Sequence, residues 1–181
     1  MKYDVLIIGA GPGGIFTAYE LINLKPKMKI AIIECGNPLE KRKCPIDGVK
    51  IKSCIHCSTC AIMNGFGGAG AFSDGKYNIT NEFGGNLHEY VGKEQAISLM
   101  NYVDKINCQY GGDKTKLYST TNTAFKTECL RNRLHLLDAS VRHLGTDINY
   151  EVLTNLYNYL SNKVDFFFLT KAEKVEKIDD G

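Results

Sequence analysis

The stretch Asp4-Val-Leu-Ile-Ile-Gly-Ala-Gly-Pro-Gly-Gly-Ile-Phe-Thr-Ala-Tyr-Glu-Leu21 decides the fold. Its opening, Tyr3–Ile8, is short, β-branched and closed by glycine, the pattern of a buried strand. Ile15–Leu24 follows with apolar residues spaced as on a helix packed against a sheet, and Pro26 ends it. Lys29–Glu34 reads as a second buried strand. Strand, helix and strand in so short a span make a βαβ unit with parallel strands and a right-handed crossover.

The turn between strand and helix, Gly9-Ala-Gly-Pro-Gly-Gly14, has the G-x-G-x-x-G spacing of a dinucleotide fingerprint. Gly9 permits the tight turn, Gly11 lets backbone approach a pyrophosphate, and Gly14 allows close helix–strand contact. The helix N-terminus offers unpaired N–H groups and partial positive charge to phosphate. Glu34 stands twenty residues beyond Gly14, where it can accept hydrogen bonds from ribose hydroxyls. Cys35 and Gly36 come next, with no arginine for a 2′-phosphate, so NADP is disfavoured.

An open α/β nicotinamide enzyme continues with alternating strands and helices. This chain instead loses periodicity from Cys35 to Gly92. Within that region Asn64-Gly-Phe-Gly-Gly-Ala-Gly-Ala-Phe-Ser-Asp-Gly75 carries five glycines in twelve positions. Such density brings backbone amides against a flat or anionic ligand, for which a flavin's pyrophosphate and ring edge are suited. Phe66 and Phe72 argue for an ordered loop rather than a flexible one.

Length and composition agree with a globular protein. The chain has 181 residues, 44% apolar and 23% charged, with a net charge of +2. That balance gives no sign of nucleic-acid or anionic-membrane binding. The longest apolar runs, Val5–Ile8 and Phe166–Leu169, fall far short of a membrane span. The strand-like N-terminus leaves no room for a signal peptide, so a cytoplasmic location is expected.

Further along, helices are expected at Lys93–Asn107, Thr127–Leu144 and Tyr150–Leu160, with a polar connection over Tyr110–Thr123. In the middle helix Leu130, Leu134, Leu137, Val141 and Leu144 recur at helical spacing, and Gly145 stands where a C-terminal cap belongs. Asp165–Thr170 and Lys174–Ile178 read as strands, and Asp179-Asp180-Gly181 as a hairpin turn without its returning strand. His88, His135 and His143 are scattered. His135, Arg131, Asp138 and Arg142 share a polar helix face in this reading. Asp74 and Lys76 follow the Gly-rich loop and have no assigned role.

Four of the seven cysteines are Cys44, Cys54, Cys57 and Cys60. Thiolates at this spacing suit zinc or an iron–sulfur cluster, with His56 as a substitute ligand. Two other readings stay open: a redox-active C-x-x-C pair, with Lys50 and Lys52 near enough to stabilise a thiolate, or cysteines that merely line a loop. Cys35, Cys108 and Cys129 are isolated.

Asp4–Leu21, Glu34 and Ile62-Met-Asn-Gly-Phe-Gly-Gly-Ala-Gly-Ala-Phe-Ser-Asp-Gly-Lys-Tyr77 together resemble the FAD-dependent dehydrogenases of the glutathione-reductase-like flavoprotein superfamily. The likeness is strongest to a bacterial and archaeal branch that also carries cysteines just before the Gly-rich loop. It implies an α/β, Rossmann-like FAD-binding domain with an inserted helical segment. FAD would be held by Gly9, Gly11, Gly14 and Glu34, with Gly67, Gly68, Ala69, Gly70, Phe72 and Ser73 near the flavin. Val175 matches a late strand that contacts adenine through its backbone. The implied layout places fingerprint, cysteines and Gly-rich loop in residues 1–92, helices in 93–163, and the start of a returning hairpin in 164–181. The function implied is hydride or electron transfer through FAD, with an unidentified small-molecule substrate or electron partner and no catalytic residue evident. A non-catalytic flavin or cluster-binding electron-transfer module and an NAD-dependent dehydrogenase are the alternatives. These folds complete the flavin site with a later Gly-Asp segment that is missing here. The chain is therefore expected to be the N-terminal part of a longer enzyme, needing its C-terminal part for tight FAD binding.

Overall fold

The first strand, β1 (Val5–Ile8), leads through the glycine turn into α1 (Pro12–Leu24) and on to β2 (Ile30–Ile33). After a long segment with short 3₁₀ turns at Leu39–Lys41 and Gly68–Phe72 come β3 (Lys76–Ile79), α2 (Leu87–Val91) and α3 (Lys93–Gln109). The chain continues with β4 (Leu117–Ser119), α4 (Thr123–Arg131), β5 (Ser140–His143), α5 (Gly145–Ser161) and β6 (Asp165–Phe167). The structure is a computed structural model, and it describes residues 2–177. The described residues form an α/β arrangement with two three-stranded sheets. No described helix is long and apolar enough to cross a membrane.

The chain divides into two units, one of residues 1–72 and 153–181, the other of 73–152. In the first, β1, β2 and β6 form a parallel sheet with β2 in the centre. The register aligns Ile7 with Ile32 and Ile32 with Phe166, so these three share one face. That face is covered. Ile15, Ala18 and Ile22 of α1 are buried, and Phe66 meets Tyr157 of α5 and Phe166 edge-on at 5.0 and 5.9 Å. The opposite face, with Leu6, Ile8 and Phe167, is exposed at 52%, 58% and 39%. Parallel sheets ordinarily have both faces covered; here the second face is buried at Ala31 on the central strand and open over Leu6, Ile8 and Phe167.

In the second unit β5 lies between β3 and β4, antiparallel to both. Arg142 on β5 reaches Asp104 on α3 with two hydrogen bonds, Nε to Oδ1 at 2.6 Å and Nη2 to Oδ2 at 2.9 Å. Both residues are buried, and this pair ties the helix to the sheet.

Several expectations are corrected here. No helix spans Thr127–Leu144: α4 ends at Arg131, Arg133 takes a left-handed conformation, and Ser140–His143 is the central strand of a sheet. Of the leucines that suggested the helix, Leu130, Leu134 and Leu137 are exposed, and Leu144 alone is buried, just beyond β5. Strand pairing on both edges of β5 outweighs their local periodicity. Gly145 opens α5 instead of capping an earlier helix, so α5 is longer than Tyr150–Leu160 suggests. The Tyr110–Thr123 connection contains β4, and the supposedly irregular Cys35–Gly92 region contains β3 and α2. The strand expected over Asp165–Thr170 shortens to β6, although Leu169 and Thr170 still donate to Gly36 O and Glu34 O. Lys174–Lys177 form no strand; Ile178 and the Asp179–Gly181 turn lie outside the described residues.

Candidate dinucleotide site

At the end of β1 the Gly9 N–H donates to Ile33 O at 2.8 Å, and Gly9 then turns with φ 100°, open to glycine at little cost. Gly14 sits so close to this turn that a Cβ there would stand 2.0 Å from Gly9 O. The two glycines let α1 start directly on the strand. Gly11 and Gly13 face open space, with nothing within 4 Å of a Cβ built on either. No side chain caps α1, Pro12 occupies its first turn, and no acidic residue stands there. The helix therefore presents free donors and partial positive charge over an unobstructed backbone.

Glu34, one residue past β2, is only 6% exposed. Its Oε2 accepts from Ala10 N at 2.8 Å; its Oε1 accepts from Gly36 N at 2.7 Å, Gly65 N at 2.9 Å and the Cys35 thiol at 3.4 Å. Burial pushes its pKa up, but the N–H groups of Ala10 and Gly36, with Cys35 and Gly65, outweigh that and hold it below the ordinary carboxylate value. The same carboxylate raises the Cys35 thiol pKa, after burial as the main cause. A carboxylate has about four acceptor positions, so Oε2 keeps capacity for a ligand hydroxyl beside Ala10.

The Gly-rich segment is drawn to the same place. Gly67 N donates to Ala10 O at 2.8 Å, and a Cβ on Gly68 would lie 3.3 Å from the Gly11 Cα. Gly67 and Gly68 thus pack on the fingerprint, with Glu34 bonded to both segments. Ala69, Gly70 and Phe72 follow exposed, and Ser73 begins the second unit, where its Oγ accepts from Gly75 N. Val175 is 81% exposed and in no strand, so the late strand proposed for adenine contact is not formed there. Asp74 pairs with Lys76 at 2.7 Å, which lowers its pKa, and with the half-exposed His143 at 3.8 Å.

Arg42 was not visible as a site residue. It is buried, and its guanidinium donates to four carbonyls: Ala61 O from Nε, Ile62 O from Nη2, and Phe66 O and Gly68 O from Nη1, at 2.6–2.9 Å. It also lies 4.8 Å from the Phe72 ring centroid. Burial lowers its pKa, opposed by the charge of Glu34. In sequence it is the middle of Lys41-Arg42-Lys43, which reads as a solvated charge run; no signal there marks it.

The expected metal tetrad is not assembled. Among the described residues no three Cys, His, Asp or Glu side chains gather about a point that could hold one metal ion. The loop carrying them has no helix or strand, and Cys54 and Cys57 are exposed. Cys44, Cys54, Cys57 and Cys60, with His56, nevertheless line one cavity of about 240 Å³. A second cavity of about 390 Å³ lies in the other unit, between β3 and α3, walled by Phe83, Leu99, Met100 and Val103.

No family model and no curated protein sequence matches the chain. Among solved structures it is similar to the L-amino acid deaminase of Proteus vulgaris, at 14% identity and a TM-score of 0.44, over 98% of this chain and 42% of that one. The Proteus myxofaciens L-amino acid deaminase in complex with anthranilate gives 14% and 0.40, over 40% of its length. A Proteus vulgaris deaminase lacking its specific insertion sequence gives 14% and 0.41, over 47%. The chain spans less than half the length of each. A likeness this distant decides neither family nor chemistry, and the functional reading rests on the site.

Proposed function

We propose that this chain binds FAD and forms the flavin-binding part of an oxidoreductase. The observation that carries the reading is the uncapped start of α1, with Gly11 and Gly13 open before it, Gly67–Gly68 backed against it and Glu34 beside it. These residues fit a dinucleotide. The N-terminus of α1 would take the pyrophosphate, and the free side of the Glu34 carboxylate would accept from an adenosine ribose hydroxyl. Bound FAD would supply hydride or electron transfer; the protein's part is to hold and orient it. Gly67 and Gly68, whose N–H groups donate to Ala10 O and Gly65 O, back the fingerprint and hold the Gly-rich segment beside the cofactor. Glu34 keeps both segments in register through Ala10 and Gly65.

The reading is tested by titrating the purified chain with FAD and following quenching of flavin fluorescence. Weak but saturable binding to the parent chain, weakened further by more than about tenfold in Gly11→Val, is the expected result. Binding of NAD with none of FAD would overturn it in favour of a nicotinamide enzyme.

A further inference from the structure

Where the Gly-rich segment meets the fingerprint, Gly65, Gly67 and Gly68 take φ values of 112°, 86° and 57°. Glycine enters this left-handed region freely and leaves it as freely. A turn made of such residues keeps one shape only when outside groups hold its polar atoms. Two buried side chains of opposite charge do so. The Glu34 carboxylate accepts from Gly65 N at 2.9 Å, and the Arg42 guanidinium donates to Phe66 O at 2.6 Å and Gly68 O at 2.8 Å. Glu34 is 6% exposed and Arg42 5%.

Arg42 gives four of its guanidinium N–H groups to carbonyls, the remaining two acceptors being Ala61 O and Ile62 O. The fixed planar fork of these donors joins two segments. One is residues 61–62, where the chain returns from the 43–60 loop. The other is residues 66–68, where Gly67 N donates to Ala10 O and Gly68 stands against Gly11. The aliphatic stem supports the turn as well: a Cβ on Gly65 would stand 2.6 Å from Arg42 Cδ. A lysine keeps the charge but concentrates it on a single nitrogen, which cannot serve carbonyls of both segments in one plane.

We propose that Arg42 is a positioning residue of the dinucleotide site, its fork setting the 65–68 turn against Ala10 and Gly11 before any ligand arrives. The identity of that ligand rests on the flavin reading above. Ordering a loose turn during binding costs affinity, and a turn held in advance avoids the cost. Arg42 acts here through the backbone of Gly67 and Gly68.

The test compares amide hydrogen exchange and FAD titration in the parent chain, Arg42→Lys and Arg42→Gln. Lys43→Gln, at an exposed neighbour, is the charge control. In Arg42→Lys the Gly67 and Gly68 amides are expected to lose at least about tenfold more protection than the amides of β2, and FAD to bind more than about tenfold more weakly. Arg42→Gln, which also lacks the fork, shows the same pattern, and either variant suffices should the other fail to fold. Lys43→Gln matches the parent in both measurements. Equal loss of protection in the turn and in β2 would make Arg42 a stabiliser of the core alone and overturn the proposal. So would parent-like protection of the turn in Arg42→Lys, since charge without the fork would then suffice, or parent-like FAD affinity with a loosened turn. A parent chain that binds no FAD overturns the flavin reading instead, and the exchange comparison then still decides whether Arg42 sets the turn.

Discussion

Gly11 and Gly14 stand three positions apart in one turn and respond oppositely to a methyl group. A Cβ on Gly14 would meet Gly9 O at 2.0 Å, backbone against backbone. Gly14→Ala is therefore expected to cost about 3 kcal/mol of stability, read as a lower urea midpoint. At Gly11 the same Cβ meets nothing. Gly11→Ala should change stability by less than about 1 kcal/mol while weakening FAD binding; equal destabilisation by both variants would contradict this account. Glu34 adds a pH dependence. Its folded-state pKa is depressed, so the unfolded chain takes up a proton more readily. Its stabilising contribution is full above the ordinary carboxylate value, near 4.3, and is lost as pH falls through the depressed one. Acid unfolding curves of Glu34→Gln should therefore be flatter in that range than those of the parent chain. The roles of Gly9 and Gly14 were legible because only backbone reasons explain glycine at such spacing. Glu34 was legible as an acid at a strand end. Its bonds to Gly36 and Gly65 were not, since they depend on where a distant loop comes to rest.

At the scale of elements, the βαβ unit was readable because burial on β2 and glycine at the turn leave few alternatives. Elsewhere local pattern and tertiary demand diverged. Leu130, Leu134 and Leu137 make a convincing helical stripe, yet they face solvent, and the chain beyond Arg133 spends its residues on a central strand. The strand forms through partners 61–67 and 21–25 residues upstream, which no local window contains. Arg42 is the same lesson for a loop. Arg42→Met removes the donor to four carbonyls and should cost on the order of 3 kcal/mol. Limited proteolysis should then cut faster between residues 43 and 61; an unchanged cleavage rate would show that the clamp does not hold the loop. In the second unit Asp104→Asn breaks the buried pair with Arg142. A loss of about 3–5 kcal/mol in chemical denaturation is expected, because the guanidinium stays buried without its counter-charge.

On the scale of the whole molecule, the division at residues 72/73 and 152/153 separates the parallel sheet from the antiparallel one, and α5 contributes residues to both units. The exposed strip of the parallel sheet, Leu6 and Ile8 on β1 with Phe167 on β6, is a liability in free solution. Leu6→Lys/Ile8→Lys should lower self-association in light scattering and change stability by no more than about 1 kcal/mol, as substitutions of exposed side chains do. A large loss of stability would mean that these positions are packed. The strip also leaves a calorimetric mark. Leu6, Ile8 and Phe167 are substantially hydrated before unfolding begins, so they add little to the heat-capacity rise on melting, and stability varies more gently with temperature than it would over a fully buried sheet. Any body that settles on that face strips the water away, and its docking carries a negative heat-capacity change in proportion to the apolar area covered.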